Sequence, residues 1–194
     1  MVRPPDPSIH TEMLIQPCLG DAEWFATQVR VGREHYSARH LQMRGYEVFL
    51  PCHRESRRWS DRVKHVSHPL FAGYLFCRSS SDVVGKIVTA PGVMRIVGDG
   101  TRAVPVPHDQ IEAVRRIVDA GLVSEPWPFL QTGERVCIEV GPLRGLEGVV
   151  VRSLNGLRVV VSIVLLRRSV AVEVDAEWVR VQSDRRFASG PAVT

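Results

Sequence analysis

The chain has 194 residues, of which 44% are hydrophobic and 24% charged, and it carries a formal net charge of +4. This composition is typical of a globular protein with one or two cored domains, and it excludes a disordered chain. The longest apolar run, Val159–Leu166, contains Ser162 and is too short to cross a bilayer.

The cysteines indicate a reducing environment. They are widely spaced and form no CxxC pair; they are Cys18, Cys52, Cys77 and Cys137. We therefore predict four free thiols, no disulfide framework, no metal site and no cofactor. The first twenty residues lack the charged start and apolar core of a secretory signal, which predicts a cytoplasmic protein with no membrane contact.

The N-terminal part predicts a leader followed by alternating elements. Residues 1–20 are Pro-rich and aperiodic, which favours disorder. Trp24–Val29 predicts a strand, Arg33–Arg44 a helix that ends at Gly45, and Tyr46–Leu50 a second strand. The next segment, Cys52–Lys64, holds five basic residues, two acidic residues and one tryptophan, and predicts an exposed hairpin.

The segment that follows the hairpin predicts the centre of a sheet. Tyr74–Cys77 is a continuous apolar run, which favours a strand buried on both faces. Gly73 marks the start of this strand, so Leu70 and Phe71 lie on an apolar lip at its end. Such a lip either covers the local core or receives a partner, and the residues alone favour the first interpretation.

The remaining elements of this half complete an α+β domain. Ser81–Thr89 predicts a short helix, and Val93–Val97 predicts a strand. A helix that begins at Pro107 and ends at Gly121 carries one apolar stripe. The order of elements predicts an antiparallel sheet with flanking helices over residues 21–121.

The C-terminal part has a different pattern. Residues 122–132 contain Pro126 and Pro128 and predict a linker. Val and Ile then alternate with other residues in five short strands, which predicts a small closed β-barrel over residues 133–183 and a tail over 184–194. The turns fall at Gly141-Pro142 and Asn155-Gly156, and the density of Val and Ile predicts a permanently β domain.

Two groups of motifs resemble one known family. Val140–Val149 resembles the KOW motif, a Gly-rich turn in a five-stranded SH3-like barrel. The first domain resembles the NusG N-terminal (NGN) domain through four segments, which are Trp24-Phe25, Phe49-Leu50-Pro51, Pro69–Phe76 and Pro91-Gly92-Val93. The chain over about Glu23 to Val181 thus resembles the NusG family of transcription elongation factors. Within this family, the motif sequences resemble most closely those of the specialised RfaH, UpxY and LoaP-like branch.

This resemblance implies a monomeric transcription factor that binds the clamp helices of the RNA polymerase β′ subunit and suppresses pausing. The polymerase-binding residues carried over by position are Phe71, Tyr74, Leu70, Ile96, Ile111 and Val114. The resemblance favours partner binding for the lip, while the alternative is that Ile111 and Val114 face their own sheet. The KOW barrel would recruit ribosomal protein S10 or the termination factor Rho through Leu165, Leu166 and Arg168.

The resemblance also implies contact with non-template DNA along the first helix. His40 matches a family DNA-contact position, and Arg30, Arg39 and Arg44 are its basic neighbours. The hairpin supplies further candidates, which are Arg54, Arg57, Arg58, Trp59 and Arg62. They suit phosphate contact and base stacking, although a solvated hairpin is an equal interpretation.

Two rival functions follow from the same residues. An enzyme lacks support, because no GxSxG, P-loop, GxGxxG or HExxH pattern is present. Zinc binding by Cys52, His53, His65 and His68 lacks a CxxC anchor. The main alternative is a KOW-type protein that binds RNA or ribosomes and never contacts polymerase.

Overall fold

The computed structural model describes residues 22–59, 62–80, 84–130, 133–153 and 156–182. The predicted leader, the predicted tail, Cys18 and the Ser81 helix start lie outside these ranges. No helix in the described ranges is long and apolar enough to span a membrane.

The described chain alternates strands with two α-helices. In chain order the elements are β1 (Glu23–Val29), α1 (Glu34–Met43), β2 (Glu47–Phe49), β3 (Cys52–Trp59), β4 (Arg62–Pro69), β5 (Tyr74–Ser79), β6 (Val93–Ile96), β7 (Pro105–Val106), α2 (His108–Asp119), β8 (Ser124–Trp127), β9 (Arg135–Ile138), β10 (Glu147–Ser153), β11 (Gly156–Ile163), β12 (Arg168–Val174) and β13 (Val179–Val181). Short 3-10 helices lie at Val84–Thr89, Val164–Leu166 and Ala176–Trp178.

The first domain is built on one antiparallel sheet in the order β2-β5-β1-β6, and β7 also pairs with β1. The predicted central strand is confirmed, because β5 lies between β2 and β1. Its apolar residues Leu75, Phe76 and Cys77 are fully buried. Burial on both faces explains why this strand lacks the alternation of a half-exposed strand.

The two helices cover opposite faces of this sheet. Side chains alternate between faces along a strand, so Phe25 packs with Leu41 of α1 while Ala26 joins the cluster that contains Ile111 of α2. The predicted apolar stripe of α2 is confirmed, since its Ile111, Val114 and Ile117 are completely buried.

The basic segment forms a hairpin of its own. Strands β3 and β4 pair only with each other in the described ranges, from Cys52 opposite Pro69 to Trp59 opposite Arg62. Strand β4 continues to Pro69, beyond Lys64, where the predicted hairpin segment ends. The Leu70 N–H donates to the Pro51 carbonyl at 2.8 Å and closes the base of the hairpin, so the basic arm begins beside the apolar lip.

The second domain is an antiparallel sheet in the order β13-β9-β10-β11-β12-β8. It contains the five expected strands and a sixth, β8, which lies in the segment predicted as a linker. Pro126 has no N–H and reads as a strand breaker. As β8 pairs on one side only, that missing donor can face away from the ladder.

Gly148 permits the close approach of two strands in this sheet. A Cβ at this position would lie 2.6 Å from Val159 Cγ1 and 2.8 Å from the Val160 carbonyl oxygen. Contacts this short require a backbone shift, because the second of them involves main-chain oxygen. Close packing of the two strands therefore explains why a glycine occupies this position of the Gly-rich turn motif.

We expect Gly148→Ala to destabilise the second domain by about 1–3 kcal/mol, the typical cost of overpacking. The matched control is Gly85→Ala, because a Cβ there meets nothing within 4 Å. Urea denaturation followed by backbone NMR measures each variant in the domain that carries the substitution. Equal stability of the two variants would contradict the steric role of Gly148.

Candidate functional site: a covered apolar surface between the domains

The predicted apolar lip is buried in the free chain. Phe71, Ile111 and Val114 have no exposed surface, and Leu70 retains 2%. The Phe71 ring packs edge-on against Phe76, with the ring centroids 5.7 Å apart. Part of the cover thus comes from the first domain itself, as the local-core interpretation expects.

The buried cluster that contains the lip extends into the second domain. The same continuous cluster also contains Val161 and Ile163 of β11. Leu165 and Leu166, which are half-buried, pack against this cluster. In the free chain the lip and part of the second domain therefore belong to one buried core.

Three polar contacts cross this interface. The Val164 N–H donates to Gln110 Oε1 at 3.1 Å, and the Arg116 guanidinium donates to the Arg144 carbonyl. The Arg168 guanidinium lies 5.3 Å from the centroid of the Tyr74 ring. This last contact joins a residue predicted to bind polymerase to one predicted to bind a partner of the second domain, and Arg168 itself stays exposed.

A cleft of about 610 Å³ lies beside the apolar contact, between α2 and the second sheet. Its polar lining includes Asp109, Glu112 and Arg116 of α2 and Arg135 and Gln182 of the second domain. Interfaces between domains that move are typically more polar than the core of one domain. The cleft therefore brings polar side chains of α2 and of the second domain together at the edge of the apolar contact.

Ile96 is not brought together with the other predicted polymerase-binding residues. It lies opposite Thr27 of β1 and packs with the cluster beneath α1. Phe71 and Tyr74 belong to the cluster on the other face of the sheet. Strand register separates them, and sequence position alone does not reveal this.

Sequence reasoning missed Glu34, whose side chain hydrogen-bonds to the backbone beside the lip. Its side chain is 4% exposed, and its Oε1 accepts the Gly73 N–H at 2.9 Å. Gly73 has φ +79°, a conformation that suits glycine, and it directly precedes Tyr74. Glu34 therefore ties the first turn of α1 to the lip. A glutamate at a helix start reads as an exposed charge, so no sequence signal indicates this role.

The predicted nucleic-acid face of α1 is exposed. Arg30 and Arg39 are open to solvent, and His40 is half-buried. Sequence reasoning missed Tyr36, whose ring is 4.4 Å from the His40 ring and whose residue is 46% exposed. Arg44 is already engaged, because its guanidinium donates to the Thr89 side chain at 2.8 Å.

Strands β3 and β4 are described as backbone, and the side chains of the hairpin's predicted contact residues lie outside what the structure describes. These residues are Arg54, Arg57, Arg58, Trp59 and Arg62. Their proposed contacts with nucleic acid remain predictions.

The described cysteines are free thiols, as predicted. Burial raises the pKa of Cys77 to about 12, which keeps this thiol protonated at neutral pH. Burial also raises the pKa of Cys52, whose Sγ lies 4.0 Å from His35 Nε2. Within the described ranges no group of three or more His, Cys, Asp and Glu side chains is arranged to hold a metal ion.

Comparison with known proteins gives its most direct result for the first domain, where a protein family matches. Residues 22–115 match the family described as "NusG: Transcription termination factor nusG". A solved structure titled "Domain interaction in Thermotoga maritima NusG" aligns with 83% of this chain and 97% of its own, with a TM-score of 0.52 and 20% identity. At this identity the likeness shows the fold alone.

Two crystal structures of an MjSpt4:Spt5 complex, in conformations A and B, also align. They cover 82% and 83% of this chain and 98% and 97% of their own, at 18% and 17% identity. Their TM-scores of 0.30 and 0.28 are too low to support an argument. No curated protein matches the chain significantly.

The buried carboxylate beneath the lip gives the first test of this site. We expect Glu34→Ala to cost about 1–3 kcal/mol of unfolding free energy, because the buried Gly73 N–H loses its acceptor. Glu34→Gln keeps an acceptor oxygen and serves as the matched control. Chemical denaturation measures both variants, and equal losses would show that the hydrogen bond to Gly73 is not what matters.

Proposed function

We propose that this protein is a transcription elongation factor of the NusG family, which binds RNA polymerase through its N-terminal domain and modulates pausing and termination. The observation that carries the proposal is the match of residues 22–115 to the NusG family. That range includes the whole apolar lip with Phe71 and Tyr74 and most of helix α2. The likeness of fold over both domains supports the same assignment.

The apolar lip is the surface that we assign to polymerase. Leu70, Phe71 and Tyr74 form its strand side, and Ile111 and Val114 form its helix side. A contiguous apolar surface of this kind needs a cover, because exposing it to water is unfavourable. In the free chain this surface shares one buried cluster with the second domain, and we propose that the β′ clamp helices replace the second domain there in the complex.

We further propose that the second domain is a KOW barrel of the SH3-like type, which recruits ribosomal protein S10 or Rho. Its candidate residues Leu165, Leu166 and Arg168 lie at the same interface as the lip. Release of the interface would therefore uncover both surfaces together. This arrangement makes recruitment of the second partner dependent on polymerase binding, and antitermination is the outcome that the sequence resemblance favours.

The fraction of molecules in which the lip is open sets the apparent affinity for polymerase. If only a fraction of molecules is open, the apparent dissociation constant is the intrinsic value divided by that fraction. A substitution that weakens only the interdomain contact then raises the affinity for polymerase. A substitution in the lip lowers it.

We expect Arg168→Ala to increase capture by core RNA polymerase by roughly 2–5-fold, since it removes the exposed guanidinium from the Tyr74 ring at a cost of about 0.5–1 kcal/mol to the closed form. Tyr74→Ala should decrease capture, because it removes part of the docking surface. Quantitative pull-down or biolayer interferometry with purified polymerase measures both.

Arg180→Ala is the matched control for Arg168→Ala, as Arg180 is an exposed arginine of the same domain that pairs with Glu139 instead of the lip. Its affinity should equal that of the wild type. A protein that binds RNA or ribosomes but gives no polymerase complex with any variant would refute the proposed function and favour the KOW-type alternative. A transcription assay on a pausing template then gives the sign of the effect.

The basic face of α1 gives a separate prediction for nucleic acid. We expect Arg39→Ala to weaken binding to a single-stranded DNA oligonucleotide and to reduce the salt slope by about 0.7, the loss expected for one phosphate contact on a single strand. Arg102→Ala is the control, because this arginine is 84% exposed but lies in a turn beyond β6. Fluorescence anisotropy at several salt concentrations measures the slope. Identical slopes for both variants would remove Arg39 from the site.

A further inference from the structure

The segment between the two domains is fastened to the second sheet along most of its length. Strand β8 pairs with β12, with Glu125 opposite Ala171. Just before β8, the Val123 carbonyl accepts the Glu173 N–H at 3.0 Å. Just after it, Ser162 Oγ donates to the Leu130 carbonyl at 2.8 Å.

Side chains strengthen this attachment. Arg158 of β11 pairs with Glu125, and its guanidinium lies 5.4 Å from the centroid of the Trp127 ring. Arg167 lies 5.7 Å from the Phe129 ring centroid. Two arginines of the second domain therefore hold two aromatic residues of the connecting segment.

The attachment leaves a very short connection between α2 and the second sheet, in which Ala120 and Leu122 pack against the buried cluster. Helix α2 ends at Asp119 and β8 begins at Ser124, so only the four residues 120–123 join the two units. Fully extended, they span at most ~14 Å, little more than the ~10 Å diameter of one helix. If the segment detaches through Leu130, the tether has eleven residues and reaches up to ~40 Å.

We infer that β8 is a releasable latch, whose pairing with β12 holds the two domains in the closed arrangement. Detachment lengthens the tether from four to eleven residues. The effective concentration of one domain near the other falls roughly as the −3/2 power of tether length, which gives an about fivefold decrease. The inference rests on the proposed function only where it says which binding surfaces are exposed when the domains separate. The latch itself is inferred from the free chain alone.

The latch is suited to local release. It is a four-residue edge strand, it contains Pro126, and it pairs with one neighbour. Short edge strands with few ladder hydrogen bonds open at a lower free energy than central strands. β12 keeps its pairing with β11 when β8 leaves, so the second sheet can persist without the latch.

The ladder geometry offers a matched pair of proline variants. The Val123 carbonyl faces β12, since it accepts from Glu173. Backbone groups alternate along a strand, so the N–H of Glu125 also faces β12 and that of Ser124 faces away. Glu125→Pro removes a ladder donor, whereas Ser124→Pro does not. Glu125→Ala removes only the ion pair with Arg158.

Amide hydrogen exchange measured by NMR reports separately on the latch, on the interface between the domains and on the fold of the second domain. The Glu173 N–H reports on the latch, and the Val164 N–H, which donates to Gln110, reports on the interface. The Val150 N–H, which donates to Glu134, reports on the fold of the second domain. In Glu125→Pro we expect Glu173 and Val164 to exchange at least about fivefold faster than in the wild type, with Val150 unchanged. Ser124→Pro should match the wild type at all three amides.

A second variant tests the tether length directly. Insertion of six Gly/Ser residues between Gly121 and Leu122 lengthens the tether and leaves β8 in place, so Val164 should exchange faster while Glu173 stays protected. Faster exchange of Glu173 without Val164 in Glu125→Pro would overturn the inference. If that variant unfolds the second domain, which Val150 would report, an unchanged Val164 in the insertion variant overturns it instead. No step uses polymerase, so a failure here is distinct from a failure of the proposed function.

Discussion

The structure depends on burial of one apolar surface at the end of the first sheet. Phe71, Ile111 and Val114 cannot face water without a large cost, because burying a single large apolar side chain is worth about 1.5–3 kcal/mol. These residues share one buried cluster with Val161 and Ile163 of β11 in the second domain. The position of the second domain, the shielding of Tyr74 by Arg168 and the short tether are all linked to this single contact.

The interface combines a dry centre with weak polar contacts at its margin. One amide hydrogen bond to Gln110 and one cation–π contact at Tyr74 are individually small terms, and a solvent-lined cleft borders them. Contacts of this kind specify an orientation without making separation prohibitive. Strand β8 pairs with β12 away from the apolar centre, so the proposed latch could be altered without changing the surface proposed to bind polymerase.

Opposite faces of one small sheet carry the two proposed activities. The apolar lip occupies the α2 face, while α1 and its exposed Arg39 occupy the other. Glu34 connects them, because it belongs to α1 and holds the backbone of Gly73 beside the lip. A factor that contacts polymerase on one side and nucleic acid on the other needs this rigid relation between its two surfaces.

The sequence by itself determined the elements whose pattern is local. The central strand at Tyr74–Cys77 follows from a continuous apolar run, while the α2 stripe and the alternating strands of the second domain follow from the periodicity of apolar residues. Only the tertiary structure decided what depends on register and on pairing between distant segments. It placed Ile96 on the wrong face for the lip, buried Glu34, and turned the Pro-containing linker into strand β8. Above all, the tertiary structure brought the second domain and the lip into one buried cluster. The sequence could not show this contact, because complementarity between two surfaces far apart in the chain leaves no periodic pattern in either.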